Sequence, residues 1–212
     1  MKKEICNIAA EILLDIKCVN FSPKKLFKLT SGKESPVYCD CRRIISFPKE
    51  RKQLINFGIR QIKQKFDIKK IDSVAGGETA GIPFASFVAE NLNLPMIYIR
   101  KEKKKFGRNS QIEGIIRKSE KVLLVEDLMT DGGSKLNFLD AVNRTGAKTK
   151  AIFVIFNYGI IKEHFSFRKE NIDVISLTSW KFILEVAFKK KILNINEIKV
   201  IEKFLVDLGV KN

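Results

Sequence analysis

Val122-Leu123-Leu124-Val125-Glu126-Asp127-Leu128-Met129-Thr130-Asp131-Gly132-Gly133-Ser134 is the segment from which the rest of this sequence becomes readable. Four consecutive branched apolar residues, Val122 to Val125, predict a strand buried on both faces. The adjacent carboxylates of Glu126 and Asp127 predict the point where the chain leaves the core. Thr130 and Asp131 then precede Gly132-Gly133-Ser134, which can turn tightly and bring bare backbone N–H groups close to an anion. The same turn opens an apolar-periodic helix carrying Leu136, Phe138, Leu139 and Val142. The two halves suit two tasks. Neighbouring carboxylates accept hydrogen bonds from vicinal sugar hydroxyls or stand in the outer shell of a Mg2+, whereas a Gly-rich turn and a helix dipole hold a phosphate. A phosphorylated sugar satisfies both. A Walker nucleotide loop is a poor match because no Gly-Lys-Ser/Thr follows the turn, and the dinucleotide fingerprint fails for lack of a third glycine.

With 212 residues, 45% of them hydrophobic, the chain is long enough for one α/β domain with a substantial core and a small appendage. Forty basic against twenty-four acidic residues leave a net charge of +16. That excess alone would suggest nucleic acid or a membrane surface, but the lysines are scattered and an anionic small substrate uses part of the charge, so neither partner is expected. Cys6, Cys18, Cys39 and Cys41 have no CxxC spacing, and the single histidine, His164, makes zinc sites and Ser-His-Asp or Cys-His catalysis poor readings. Buried free thiols in a reducing compartment are expected. No apolar run approaches the length of a membrane span, and no signal peptide is evident, so the expected location is the cytoplasm.

The remaining elements fall on either side of the central segment. Ile5, Ile8, Ala9, Ile12, Leu13 and Ile16 recur at helical spacing over Lys2 to Lys17. Two extended stretches, 26–30 and 36–41, flank the turn-rich Ser31-Gly32-Lys33-Glu34-Ser35 and predict a hairpin. Helix and hairpin together, residues 1–45, would form a small hood over the sheet's C-terminal edge. Helices are predicted over 48–66, 82–90, 135–144, 179–188 and 194–208, and strands over 72–75, 96–99, 149–156 and 173–177. Alternation with short connections argues a mostly parallel central sheet with helices on both faces. Gly76-Gly77-Glu78-Thr79-Ala80-Gly81 and Glu126–Ser134 both follow strand ends, so the two loops should face one crevice. Residues 100–114 begin with six cations in ten residues and cannot pack inside, which predicts a mobile lid.

The apolar strand, paired acids and Thr/Ser-x-Gly-Gly-Ser/Thr turn resemble the donor motif of the type I phosphoribosyltransferases, which bind phosphoribosyl pyrophosphate (PRPP). Leu29-Thr30-Ser31-Gly32-Lys33-Glu34-Ser35-Pro36-Val37-Tyr38, Gly76 to Pro83, Ile99-Arg100-Lys101-Glu102 and Gln111-Ile112-Glu113-Gly114 narrow the resemblance to the orotate phosphoribosyltransferases, over nearly the whole chain. The resemblance implies transfer of the phosphoribosyl group from PRPP to orotate, giving orotidine 5′-monophosphate and pyrophosphate in pyrimidine biosynthesis, with Mg2+ bound through PRPP and water. It implies that Glu126 and Asp127 meet the ribose hydroxyls. Thr130, Asp131, Gly132, Gly133 and Ser134 would wrap the 5′-phosphate, Leu128 and Met129 are counted with them as substrate-binding, and Gly77, Glu78, Thr79 and Ala80 would approach the pyrophosphate. It also implies a homodimer in which Arg100, Lys101 or Lys104 reaches the neighbouring site.

Departure of pyrophosphate leaves an oxocarbenium-like carbon, so positive charge on the leaving group and exclusion of water are the two requirements of this chemistry. Lys104 and Asp127 are accordingly the candidate catalytic residues. The sequence departs from the family at Phe106, where a lid histidine is common, at Ala80, where a lysine is frequent, and at Asn157-Tyr158, where an Asp-Arg commonly grips the orotate carboxylate. Lys33, Arg42 and Arg43 are the candidate replacements for that cation, and Tyr38 is a candidate for stacking on the pyrimidine. Two alternatives stay open on the sequence: transfer to another nucleobase, and a non-catalytic PRPP-sensing regulator that binds nucleic acid.

Overall fold

Val122–Val125 lies in the third of six strands of a sheet that the helices cover on both sides. The computed structural model describes residues 2–28, 32–102, 111–130, 133–160, 167 and 171–210. In chain order the elements are α1 (Lys2–Asp15), β1 (Val19–Phe21), β2 (Phe27–Lys28), β3 (Glu34–Ser35), β4 (Val37–Cys39), a 3-10 turn (Cys41–Ser46), α2 (Pro48–Lys65) and a second 3-10 turn (Ile68–Lys70). Then come β5 (Ser73–Gly77), α3 (Gly81–Leu92), β6 (Met96–Ile99), β7 (Ile112–Glu113), β8 (Lys121–Met129) and α4 (Gly133–Asn143). The chain continues through β9 (Lys148–Asn157), β10 (Asp173–Ser179), α5 (Trp180–Lys189) and α6 (Ile195–Asp207).

The sheet order is β10-β9-β8-β5-β6-β7, parallel throughout except for β7, which runs antiparallel to β6. Leu123 and Val125 of β8 join Phe153, Ile155, Leu13, Leu54 and Phe84 on one face, against α1, α2 and α3. Val122 and Leu124 join Ile152, Val154, Phe138, Leu139 and Val142 on the other, against α4. Burying each such side chain contributes about 1.5–3 kcal/mol. A one-residue slip of β8 would exchange the two sets and is therefore strongly disfavoured. This register fixes which way Glu126 and Asp127 point.

The sequence expectation that the acids mark the strand's exit is corrected here. β8 continues to Met129, and Glu126 and Asp127 lie inside it, 5% and 6% exposed. The expected hairpin is also divided. Phe27–Lys28 pairs with Glu34–Ser35, but Val37–Cys39 turns to a different partner, Val19–Phe21. Pro36 separates the two ladders, and a residue without an N–H cannot carry the pairing across. The hood is anchored at its base by Arg43, whose Nε donates to the carbonyl of Ile16 at the end of α1, 3.0 Å away.

Candidate active site

The C-terminal ends of β5 and β8 are neighbours, with Gly76 opposite Val125, so the loops that follow them meet at one crevice. Gly77–Gly81 is the first of these. It has room for its turn only because its end residues lack side chains: a Cβ on Gly77 would collide with Glu126 Oε1 and the Phe138 ring, and one on Gly81 with Glu126 Oε1 and the Val125 carbonyl. The carboxyl of Glu126 is thus tucked beneath this loop. Its other oxygen, Oε2, lies 3.1 Å from Lys135 Nζ, and both side chains are less than one-tenth exposed. Burial pushes Glu126 up to about 7 against the pull of Lys135.

Asp127 points to the opposite face, as alternation along a strand requires. There it raises the thiols of Cys18, Cys39 and Cys41, which burial has already raised, the first two to about 12. Burial also raises Asp127 itself, opposed by the Leu128 backbone, by Lys135 and by Arg42. The two acids therefore point to opposite faces of one strand end, Glu126 under the glycine loop and Asp127 toward the hood, while the charge of Lys135 reaches both. All four cysteines are free.

Arg100 and Lys101 form the stem of the cationic segment. The Lys101 N–H donates to Glu78 Oε2 at 2.8 Å and the Arg100 N–H to the Gln111 carbonyl at 2.8 Å. Gln111 Nε2 returns a bond to the Arg100 carbonyl at 2.9 Å, and Asn137 Nδ2 of α4 donates to the Lys101 carbonyl at 2.9 Å. The stem is therefore tied to the first loop and to α4. Lys104, the candidate for the leaving group, and Phe106 lie outside the described residues, as do Asp131 and Gly132. Gly133 and Ser134 open α4; Leu128 is half-buried, Met129 buried, and Thr130 half-exposed at the crevice. Thr79 is exposed and Ala80 half-exposed at the loop's tip.

The candidates for the acceptor are more dispersed. Lys33 is exposed beside β3. Arg43 is committed to Ile16, and Arg42 Nε lies 2.6 Å from Asp40 Oδ1. Tyr38 packs on Phe27, with ring centroids 5.9 Å apart. The two line, with Phe21, Asn20 and Lys17, a cavity of about 640 Å³ to which none of the strand-end residues contributes. In place of the family's Asp-Arg, Asn157 Oδ1 caps the Gly159 N–H at 2.9 Å, and Tyr158 stands edge-on to both Phe156 and Trp180, at 5.4 and 5.1 Å. Sequence reasoning missed Lys135, Asn137 and Arg144, whose guanidinium donates to Gln111 Oε1, and gave Gln111 no role beyond its place in the resembling segment. Of these only Lys135 carried a signal, a cation placed in the first turn of a helix where the dipole disfavours it.

The phosphoribosyl transferase domain model matches residues 48–185, which include both loops and the stem. The orotate phosphoribosyltransferase of Cereibacter sphaeroides is 43% identical over 205 residues, covering 96% of this chain and 88% of that protein. The crystal structure of orotate phosphoribosyltransferase from Aeropyrum pernix superposes with a TM-score of 0.73 at 26% identity, over 87% of this chain and 99% of that one. The UMP synthase of Leishmania donovani shares the fold, with a TM-score of 0.78 at 23% identity; the match covers 95% of this chain and 42% of that longer one. The chain belongs to the orotate phosphoribosyltransferases, within the phosphoribosyltransferase family.

Proposed function

We propose that this protein transfers the phosphoribosyl group of PRPP to orotate, forming orotidine 5′-monophosphate and pyrophosphate in pyrimidine biosynthesis. The observation that carries the reading is the meeting of the two glycine-bearing loops around the ends of β5 and β8, in a chain 43% identical over 96% of its length to an orotate phosphoribosyltransferase. One loop suits each anionic end of the donor. Backbone N–H groups at Gly133 and Ser134 open α4 toward the 5′-phosphate, and Gly77 to Ala80 offer close backbone approach to the pyrophosphate. Asp127, at the mouth of the hood, receives the ribose hydroxyls, and Glu126 supports the same seat from below.

Arg100, Lys101 and Lys104 supply charge to the departing pyrophosphate from a segment that covers the site, reaching into the neighbouring subunit of a homodimer. Mg2+ arrives with the donor and supplies charge neutralisation on the leaving group. The ion would be held by donor oxygens and water, with the strand-end acid nearby. No described helix is long and apolar enough to cross a membrane, and free thiols suit the reducing cytoplasm.

The test is direct. The purified chain with PRPP, Mg2+ and a panel of bases should form the nucleotide of orotate in preference to those of uracil and the purines. Turnover of a purine without orotate turnover defeats the acceptor assignment. Absence of PRPP uptake in calorimetry defeats the donor site.

A further inference from the structure

The buried pair of Lys135 and Glu126 has no part in the roles given so far beyond support. A lysine in the first turn of a helix faces the positive end of the helix dipole, and burying it without an anion is costly. Lys135 is nevertheless only 6% exposed at that position, next to the residues that open α4. Glu126 approaches it from inside β8, with Oε2 at 3.1 Å from Nζ and Oε1 in the space left by Gly77 and Gly81.

We propose that Lys135 is a positioning residue for the phosphoribosyl donor: it holds the Glu126 carboxylate between Gly77 and Gly81 and so locks the pyrophosphate loop to the phosphate loop. The inference rests on the donor site proposed above. Three segments converge on this pair: β8 through Glu126, the first turn of α4 through Lys135, and the β5–α3 connection through its two glycines. A donor with an anion at each end needs both loops at a fixed separation, and a seat held at that separation before binding spares the donor the cost of ordering it, which is felt in affinity. The ion pair sets that separation while presenting no net charge of its own. Removing the lysine alone leaves Glu126 as an unpaired buried carboxylate, which is strongly disruptive once ionised, whereas replacing both members with neutral groups of similar shape is tolerated far better. The loss on removing Lys135 is therefore greatest at high pH, where the carboxyl cannot escape by holding its proton.

The variants Lys135→Met, Lys135→Arg and the double Glu126→Gln/Lys135→Met are compared with wild type in the PRPP and orotate assay at pH 6 and pH 8.5. Lys135→Met should raise KM for PRPP about tenfold at pH 8.5 and by much less at pH 6, with kcat changed less than about threefold. Lys135→Arg should recover most of the loss, and the double variant should lose the difference between the two pH values. An unchanged KM in Lys135→Met, or a rise that is the same at both pH values and persists in the double variant, overturns the proposal. Should Lys135→Met fail to fold, the double variant decides. A folded double variant whose KM for PRPP departs from wild type by the same factor at both pH values supports the pairing, and a departure confined to pH 8.5, or a double variant that also fails to fold, overturns it. Wild-type turnover in the same assay separates the two levels: its absence defeats the donor site and the inference together, while wild-type turnover with an indifferent Lys135→Met defeats the inference alone.

Discussion

The carboxylate of Glu78, in the turn after β5, accepts the backbone N–H of Lys101, the second residue of the cationic stem, at 2.8 Å. An acidic side chain in a loop meant for pyrophosphate would repel its ligand if it pointed inward. Here its charge is turned to the stem instead, and the loop's backbone stays free for the anion. Glu78→Ala should leave the Lys101 N–H without this acceptor and lower kcat/KM about tenfold, since a hydrogen bond to a charged group contributes about 1.5–3 kcal/mol. Steady-state kinetics against both substrates checks this, and an unchanged kcat/KM removes the contact from the mechanism.

Stability should depend on pH through Glu126. Burial lifts its carboxyl from the usual 4.5 to about 7, so between those values the folded protein binds more protons than the unfolded chain. Stability from this group is therefore greatest below about pH 4.5 and is lost as pH rises toward 7. Relative to Glu126→Gln, the wild-type protein without donor should lose roughly 5–10 °C of Tm between pH 5 and pH 7.5. Parallel thermal melts measure it, and equal pH slopes for the two proteins contradict it.

Gly77→Ala is expected to damage donor binding. Its Cβ would meet Glu126 Oε1 and the Phe138 ring, two groups that are themselves buried and have little freedom to move aside. Overpacking of this kind costs about 1–3 kcal/mol. The loss should appear as a raised PRPP Kd in calorimetry as well as a lowered Tm.

Tyr158 is expected to act as scaffold and not as a ligand of the base. Its ring stands edge-on to Trp180 and Phe156, and burial raises its hydroxyl well above the ordinary phenol range. Tyr158→Phe should keep KM for orotate within about twofold, whereas Tyr158→Ala should cost about 3–5 kcal/mol of stability. A large KM effect from Tyr158→Phe would instead place the hydroxyl on the acceptor.

Periodicity made the parallel sheet, its helices and the two glycine loops legible, because burial on one face or two leaves a pattern in the residues themselves. The limits were long-range. Nothing in Glu126-Asp127 indicates that the strand runs on to Met129, since that depends on pairing with β9 as far as Asn157, and the burial of Glu126 is matched by a lysine nine residues along the chain. β1 was missed because three residues carry too little alternation, and β7 because two carry none; each exists only through its partner strand. Asn137 and Arg144 read as ordinary polar residues, and Gln111 as one member of a resembling segment, until folding brings them to the stem. The acceptor side was the least legible. The residues at 157 and 158 were seen to differ from the family, but only the packing of Tyr158 against Trp180 and Phe156 shows what they do instead.

Arg100 and Gln111 bond to each other through both backbone and side chain, so the two ends of a ten-residue connection are held together at one clasp. The ring is closed by the fold before its contents matter. Doubling the length of such a ring adds only about 0.6 kcal/mol of closure entropy. That part of the molecule is therefore open to insertion, deletion or grafting at little expense to folding, which makes it the natural place to retune the chemistry while the rest of the scaffold stays untouched.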